Sequence, residues 1–383
     1  MCALSASTPK RVLISCGEPS GDLYAAELLR ELRAAAPGLA AFGIGGDRLR
    51  ETGCDLLADQ RDLAVVGLLE VLRHLRRIRT VFASLVAEAE RRRPDVAVLI
   101  DYADFNLRLG RALHARGIPV VYYVSPQLWA WRRWRIHAIR RTARRMLVIF
   151  PFEERIYRAA GVPVRFVGHP LVDLVRPPDE PAAFPRRIGL DPSRPVVTLL
   201  PGSRSSEIAH NLPGLAASAR ALARRDPRLQ FVAAAAPSLD QELLRPHLAG
   251  SEIRLVHGET IAALAASRLA LVASGTATVE TALVGTPMVV VYRLAALTYL
   301  LGRPLVNVPH VAMVNLIAGR RAVPELIQGD FRPERVAAEA ERLLADAGPR
   351  EQMLRDLAEV RERLGRGGAS RRAAVAILEA LRE

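Results

Sequence analysis

Apolar residues fall in short runs, separated by longer stretches in which they recur every three or four positions. The runs at 11–16, 40–44, 96–100, 120–124, 146–150 and 165–167 are each followed by Gly, Asp, Ser or Pro, and each predicts a strand. The stretch 22–36 predicts a helix, opened by the turn Gly17-Glu-Pro-Ser-Gly21. The pattern restarts at 196–200, 230–235, 253–256, 269–273 and 288–292. Strands alternating with helices predict parallel sheets covered on both faces. Between the two sets, residues 176–187 are Pro-rich and charged and read as a linker. From Pro333 onward the chain reads as helical, with a break at 365–368. The expected organisation is an α/β domain over 1–175, the linker 176–187, a second α/β domain over 188–345 and a helical tail over 346–383. The simplest architecture is two similar halves with a cleft between them.

Sheets of this kind bind ligands beyond the carboxyl ends of their strands. The strand at 269–273 runs into Ser274-Gly275-Thr276, where a helix begins. Free backbone N–H groups and the positive helix end attract phosphate at such a place. Glu280 shares a helix face with Thr276 and is one turn behind it, placed to accept hydrogen bonds from sugar hydroxyls. An ordinary capped helix with a solvent-facing Glu fits the same spacing. A second phosphate candidate is Pro201-Gly-Ser-Arg204, directly after the strand 196–200. Gly202 permits a tight turn, Ser203 can donate and Arg204 can pair with phosphate, with Glu207 one turn later. A strand–helix turn carrying a surface arginine is the plain alternative. Arg293, Asn315 and Arg320 are further polar candidates, but taken singly each reads first as a structural residue.

In the first half, Gly17-Glu-Pro-Ser-Gly21-Asp22 lacks the G-x-G-x-x-G spacing of a nicotinamide site. Glu18 and Ser20 either point polar groups into the cleft or shape the turn. Asp101 ends an apolar strand and is the candidate general base, with Asp104 and Asn106 close behind. The residues by themselves favour Asp101 or Asp104 as a cap for a helix over 105–116. Trp129, Trp131 and Trp134, beside arginines, suit a base, a sugar or acyl pocket, or an interface.

Composition adds a partner. The formal net charge is +14 over 383 residues, and Lys10 is the only lysine. Between Phe105 and Phe152 there is no Asp or Glu, but there are Arg108, Arg111, Arg116, Arg132, Arg133, Arg135, Arg140, Arg141, Arg144 and Arg145. A second basic cluster, Arg73 to Arg79, lies on an amphipathic stretch with Leu68, Leu72, Leu75 and Ile78 on one side. Such a stripe packs into a core or lies on a membrane surface. Basic surface implies an anionic partner: nucleic acid, anionic lipid or a phosphorylated substrate. Cys2, Cys16 and Cys54 show no metal-like or disulfide-like spacing, so a reducing compartment is expected. No long apolar stretch precedes the first strand, so no secretory signal is expected. No run approaches the ~20 apolar residues that span a bilayer.

Taken in order, several segments resemble the lipid-A-disaccharide synthase family of glycosyltransferases. They are Gly-Glu-Pro-Ser-Gly-Asp (17–22), Asp-Phe-Asn (104–106), Tyr-Val-Ser-Pro-Gln-Leu-Trp-Ala-Trp-Arg (123–132), Pro-Phe-Glu (151–153), Phe-Val-Gly-His-Pro (166–170), Leu-Leu-Pro-Gly-Ser-Arg (199–204), Ser-Gly-Thr-Ala (274–277) and Asn-Leu-Ile-Ala-Gly-Arg (315–320). The resemblance implies an α/β fold of the GT-B type, two Rossmann-like domains facing a cleft. It implies inverting transfer from UDP-2,3-diacylglucosamine to the 6-hydroxyl of 2,3-diacylglucosamine 1-phosphate (lipid X). It makes Asp101 the base rather than a cap and puts Gly17, Glu18, Ser20 and Asp104 on the acceptor side. Ser203, Arg204, Ser274, Gly275, Thr276, Glu280, Arg293 and Asn315 fall where the family holds UDP. No cofactor or metal is implied, and no nucleic acid. The charge then serves an anionic membrane surface, met from the cytoplasmic side of the inner membrane through 68–79 and 132–145. The resemblance also implies a homodimer that exchanges C-terminal segments, so the tail either packs back on the first domain or swaps. Family members often read Asp-Ala-Pro-Asp-Phe-Asn, whereas this chain has Asp101-Tyr-Ala-Asp104 before Phe105-Asn106.

Overall fold

The computed structural model describes residues 11–63, 70–131, 133–237, 239–295, 299 and 308–382. They form two compact units. Unit 1 holds Met1–Pro170 and Gly365–Glu383, and unit 2 holds Leu171–Leu364.

In unit 1, seven strands form one sheet: β1 (Arg11–Cys16), β2 (Ala40–Gly45), β3 (Asp55–Asp59), β4 (Val96–Ile100), β5 (Val120–Tyr123), β6 (Ala143–Val148) and β7 (Val164–Phe166). Their order is β3-β2-β1-β4-β5-β6-β7, and every pairing is parallel. In unit 2, β8 (Val196–Leu200), β9 (Gln230–Ala235), β10 (Ile253–His257), β11 (Leu269–Ala273), β12 (Met288–Tyr292) and β13 (Glu325–Ile327) follow the order β10-β9-β8-β11-β12-β13, again all parallel. Central strands such as β4 and β11 are buried at every position, as expected of sheets covered on both faces. β3 and β13 escape the sequence reading. Both are short edge strands, partly exposed and opening on an acidic residue, so neither shows a long apolar run.

The order of each sheet reverses at one place, between β1 and β4 in unit 1 and between β8 and β11 in unit 2. Register keeps the carboxyl ends level there. Cys16 lies beside Ile100, and Leu200 beside Val272. The segments leaving those four strands are therefore neighbours in pairs.

The amphipathic helix Glu70–Arg92 turns Ile78, Val81, Phe82 and Leu85 onto the core of unit 1. That stretch of its stripe is interior, while Arg76, Arg77 and Arg79 face outward. Leu68 lies outside the described residues, as do the side chains of Leu72 and Leu75. No helix among the described residues is long and apolar enough to cross a membrane.

Two expected boundaries move. Residues 176–187 belong to unit 2 and carry the helix Ala183–Arg187, anchored by buried Phe184 and by an Arg187–Glu259 ion pair. The change of unit falls instead between Pro170 and Leu171. The tail is divided: helix Ala347–Arg363 stays with unit 2, and only helix Ala369–Ala380 belongs to unit 1. That last helix buries Ala369, Ala373, Ala374, Ala376 and Ile377, and small residues let it lie close to helix Pro19–Ala35. Arg145 donates to its Ala376 carbonyl (3.3 Å), Arg165 pairs with Glu379 (2.7 Å), and Arg372 donates to the Val167 carbonyl (2.8 Å).

Asp22 secures the start of this scaffold. Its buried carboxylate accepts the backbone N–H groups of Gly46 (2.7 Å), Arg48 (3.1 Å) and Leu49 (3.2 Å), capping helix Asp47–Glu51 behind β2. Asp22→Ala leaves buried donors unpaired and is expected to cost about 1–3 kcal/mol in urea unfolding. Asp22→Asn keeps one acceptor and should lose less; an alanine variant as stable as the parent would remove the cap from this account.

Candidate functional site

Unit 2 offers two loops at its strand-order reversal. After β8, Gly202 takes φ +117°, and a Cβ there would fall 2.5 Å from Glu207 Oε2 and 2.7 Å from Glu207 Cβ. Glycine is needed both for the conformation and for the close approach. The Glu207 carboxylate accepts the N–H of Ser203 (2.8 Å) and of Arg204 (3.3 Å), and its other oxygen lies 3.2 Å from the Arg204 guanidinium. This is the carboxylate half of a helix-start box, with Glu207 in the first turn of helix Ser205–Arg225 reaching back to the amides before it. The backbone amides of Ser203 and Arg204 are thus already engaged. The Ser203 hydroxyl and the exposed Arg204 side chain are what the loop presents outward.

Beside it, β11 ends at Ala273 and helix Thr276–Val284 begins. Gly275 caps it at φ +154°, with open space where a Cβ would project. Ser274 Oγ donates to the Val311 carbonyl (3.0 Å), which fixes this loop against the segment before helix Met313–Ala318. The first-turn N–H groups of a helix have no intrahelical acceptor, and here they open at an exposed Gly275-Thr276. One turn in, the half-buried Glu280 carboxyl is pushed up to about 7 by desolvation. Among the described residues no hydrogen-bond donor engages it. It is not the solvent-facing Glu of an ordinary capped helix.

Two expected ligand contacts have other occupations. Asn315 is fully buried: its Oδ1 accepts from Ala322 (2.8 Å) and Val323 (2.9 Å), and its Nδ2 donates to the Val323 carbonyl (3.0 Å) and Glu325 (2.6 Å). Every polar atom is satisfied by protein, so Asn315 is a strut for the turn before β13. Arg293 directs its guanidinium to the Phe331 carbonyl and over the Phe331 ring at 4.8 Å, and its N–H goes to Asn211 Oδ1 (2.8 Å). It braces the end of β12 against helix Ser205–Arg225. Arg320 likewise pairs with Asp356 and Glu359 on the helix Ala347–Arg363.

Unit 1 repeats the arrangement. β1 ends at Cys16 and leads through Gly17 and Glu18 into helix Pro19–Ala35, with Ser20 half-buried in its first turn. Adjacent β4 ends at Ile100, followed by Asp101 and Tyr102, both left-handed at φ +46° and +49°. The Tyr102 ring covers Gly17, where a Cβ would fall 2.4 Å from the ring. Burial raises the Tyr102 hydroxyl pKa, with Glu18 and Asp104 adding to it. The helix starts at Ala103, so its capping position falls on Tyr102 and not on Asp101 or Asp104. Ala103 is the first helical residue. Asp104 is exposed and pairs with Arg135 at 2.5 Å, on the rim rather than at the strand end. Beneath the loop lies fully buried Asn106, hydrogen-bonded to Ser15, Ile100 and Asp101.

Glu207 and Asn106 are the residues to which the sequence reading gave no task. A Glu at the third position of a helix was the available signal for the first. Nothing local distinguishes the second from any polar residue on a helix. Of the aromatic and basic segment, Trp134 is 67% exposed with the Arg135 guanidinium 5.3 Å from its ring centre, and Arg108, Arg111, Arg140 and Arg141 are exposed. Arg132 and the side chains of Trp129, Trp131 and Arg133 lie outside the described residues.

The family model described as lipid-A-disaccharide synthetase matches residues 12–380. A lipid-A-disaccharide synthase of Myxococcus xanthus is 48% identical over 377 residues, covering 98% of each chain. One from Anaeromyxobacter dehalogenans is 50% identical over 376 residues, covering 97% of this chain and 98% of its own. Among solved structures, the UDP-GlcNAc 2-epimerase of Neisseria meningitidis bound to UDP-GlcNAc aligns with a TM-score of 0.68 over 96% of this chain and 100% of that one, at 13% identity. That likeness, with the two sheet orders, gives the fold as GT-B, two Rossmann-like units.

Glu280 makes a measurable signature. Its folded pKa near 7 lies above the ordinary 4.5, so the folded state holds a proton that the unfolded state releases. The stability associated with that proton is complete below about pH 4.5 and is lost as pH rises through about 7. Glu280→Gln should therefore raise the melting temperature at about pH 8 and change it little at about pH 4. Equal shifts at both pH values would rule out the desolvated charge as the cause.

Proposed function

The chain belongs to the lipid-A-disaccharide synthase family of glycosyltransferases, and from that premise we propose that it joins two acylated glucosamines. The donor is UDP-2,3-diacylglucosamine and the acceptor is 2,3-diacylglucosamine 1-phosphate. The products are the β-1′,6-linked disaccharide 1-phosphate and UDP. The observation that carries this reading is the matched pair of strand-order reversals. One presents an arginine and two helix starts, and the other presents a carboxylate at a strand end.

In the proposed mechanism, the Asp101 carboxylate takes the proton from the acceptor 6-hydroxyl. The oxygen attacks C1 of the donor sugar from the face opposite the diphosphate, and the C1–O bond breaks with its electron pair leaving on UDP. One displacement inverts the anomeric centre. Charge that develops on the leaving diphosphate is met by Arg204, the Ser203 hydroxyl and the first-turn amides at Gly275 and Thr276. Ser274 holds that loop, and Glu280 accepts hydrogen bonds from the ribose. Gly17, Glu18 and Ser20 line the acceptor side. Arg293 and Asn315 support the donor loops from behind, without touching UDP. Asp104 is the other candidate base; it lies in the first turn of the helix Ala103–His114 and pairs with Arg135, whereas Asp101 directly follows the strand end.

The purified protein with both lipid substrates should release UDP and disaccharide in equal amounts. Asp101→Ala should reduce turnover by roughly a hundredfold or more, while Asp104→Ala should retain most of it. No UDP release from the parent protein would overturn the reaction, and a near-parental rate for Asp101→Ala would remove it as base.

Both substrates are amphiphiles, so the proposal includes peripheral contact with the inner face of the cytoplasmic membrane. The exposed Trp134 and the arginines at 108, 111, 140 and 141 support it, as do Arg76, Arg77 and Arg79. The protein should co-sediment with anionic vesicles at low salt and dissociate as salt rises. Failure to bind at low salt would end this part of the reading.

A further inference from the structure

We propose that Asn106 is a positioning residue that aims the Asp101 carboxylate. The proposal rests on the reading of Asp101 as base and adds the residue through which that base is held.

Asn106 lies one turn into the helix Ala103–His114 and has no exposed surface. Its Oδ1 accepts the Ser15 hydroxyl at 2.7 Å. Its Nδ2 faces three carbonyls: Asp101 at 2.9 Å, Ile100 at 3.1 Å and Ser15 at 3.3 Å. Ser15 belongs to β1 and Ile100 ends β4. One side chain therefore staples the two strands where their own ladder stops, at Cys16 beside Ile100.

The same residue also fixes the strained turn. Asp101 and Tyr102 are consecutive non-glycine residues in the left-handed region, a conformation that costs about 1–3 kcal/mol at each position. It persists only where surrounding contacts impose it. Asn106 holds two successive carbonyls of that turn, Asp101 O through its side chain and Tyr102 O through its backbone N–H (3.0 Å). From the other side, the Asp101 N–H donates to the Val124 carbonyl (3.2 Å), and Val124 is itself left-handed at φ +64°. The Tyr102 ring lies on Gly17 and blocks rotation of the turn that way. Without the Asn106 amide, one side of this clamp is gone and the turn is free to relax. Relaxation of φ at Asp101 swings its carboxylate away from its present direction. A displacement of about 1 Å at a reacting group reduces rate on the order of a hundredfold.

A filler of buried polar space would affect stability alone. A positioning residue affects turnover and leaves donor binding intact, because Arg204, Gly275 and Thr276 belong to the other unit. Asn106→Asp separates the two. It keeps the shape and the acceptor for Ser15 but turns an oxygen onto three carbonyls. Protonation of that buried carboxyl restores one donor.

The experiment measures kcat, KM for the UDP-sugar and UDP affinity for Asn106→Asp across pH. The expected result is a kcat lower by about a hundredfold at alkaline pH, with KM and UDP affinity within about threefold of the parent. The deficit relative to the parent should shrink as pH falls. Asn106→Ala should show the loss without recovery. Parental kcat in a folded Asn106→Asp protein would overturn the proposal, as would a loss that tracks stability and UDP affinity together. If neither Asn106 variant folds, Ser15→Ala decides. It removes only the hydroxyl that orients the amide, and should lower kcat about tenfold at unchanged KM, whereas parental kcat would overturn the proposal. The double variant Asp101→Ala with Asn106→Asp should be no slower than Asp101→Ala alone. If Asp101→Ala is itself active, the base assignment fails. If it is inactive while Asn106→Asp is active, only the positioning role fails.

Discussion

Parallel strands cannot be joined by tight turns, so each connection must cross a face of the sheet and return. Where β1 pairs with β4, and β8 with β11, the chain has built outward in one direction and then in the other. Helices leaving those neighbouring strands go to opposite faces, and the loops at the strand ends meet between them. Backbone N–H groups at helix starts, glycine turns and a carboxylate gather there because the central strands behind them are buried and hold their ends in register. Gly202, Gly275, Gly17 and Asp101 all depend on that placement. Moved one strand sideways, the same residues would be ordinary loop positions.

The two reversals are prepared differently. In unit 2 the loop amides are already satisfied by a carboxylate, Glu207, so that loop has its shape before any phosphate arrives. A loop already in its final shape needs no reorganisation when charge develops beside it. In unit 1 the shape is held against strain, by Asn106 below and the Tyr102 ring above. A satisfied helix start suits a group that must bind and release. A strained turn suits a group whose direction matters more than its affinity. Glu280 is a third case, a carboxylate kept short of water and of donors, so its protonation is poised near neutrality.

The central strands were legible because burial on both faces writes an unbroken apolar run, with glycine or a small polar residue marking each end. Ser274-Gly275-Thr276 and Pro201–Arg204 stood out for the same reason. β13 was not legible because three residues on an edge leave no run. Arg293 and Asn315 show a different limit. A polar residue near a strand end looks the same in sequence whether it faces a ligand or a backbone carbonyl of its own protein. Only the partners decide, and for Asn315 all of them are internal. The resemblance implied a base rather than a cap at Asp101, and in the structure the cap position of that helix falls on Tyr102. The proline-rich stretch read as a linker failed because Phe184 finds a core to enter.

The helix Ala369–Ala380 closes the unit that the chain began, after all of unit 2 has been inserted between its parts. During synthesis the surface of helix Pro19–Ala35 that this helix covers stays bare until all of unit 2 has been made. Unit 2 has no such wait. Losing the helix would bare a partner far away in sequence, not its own neighbours along the chain.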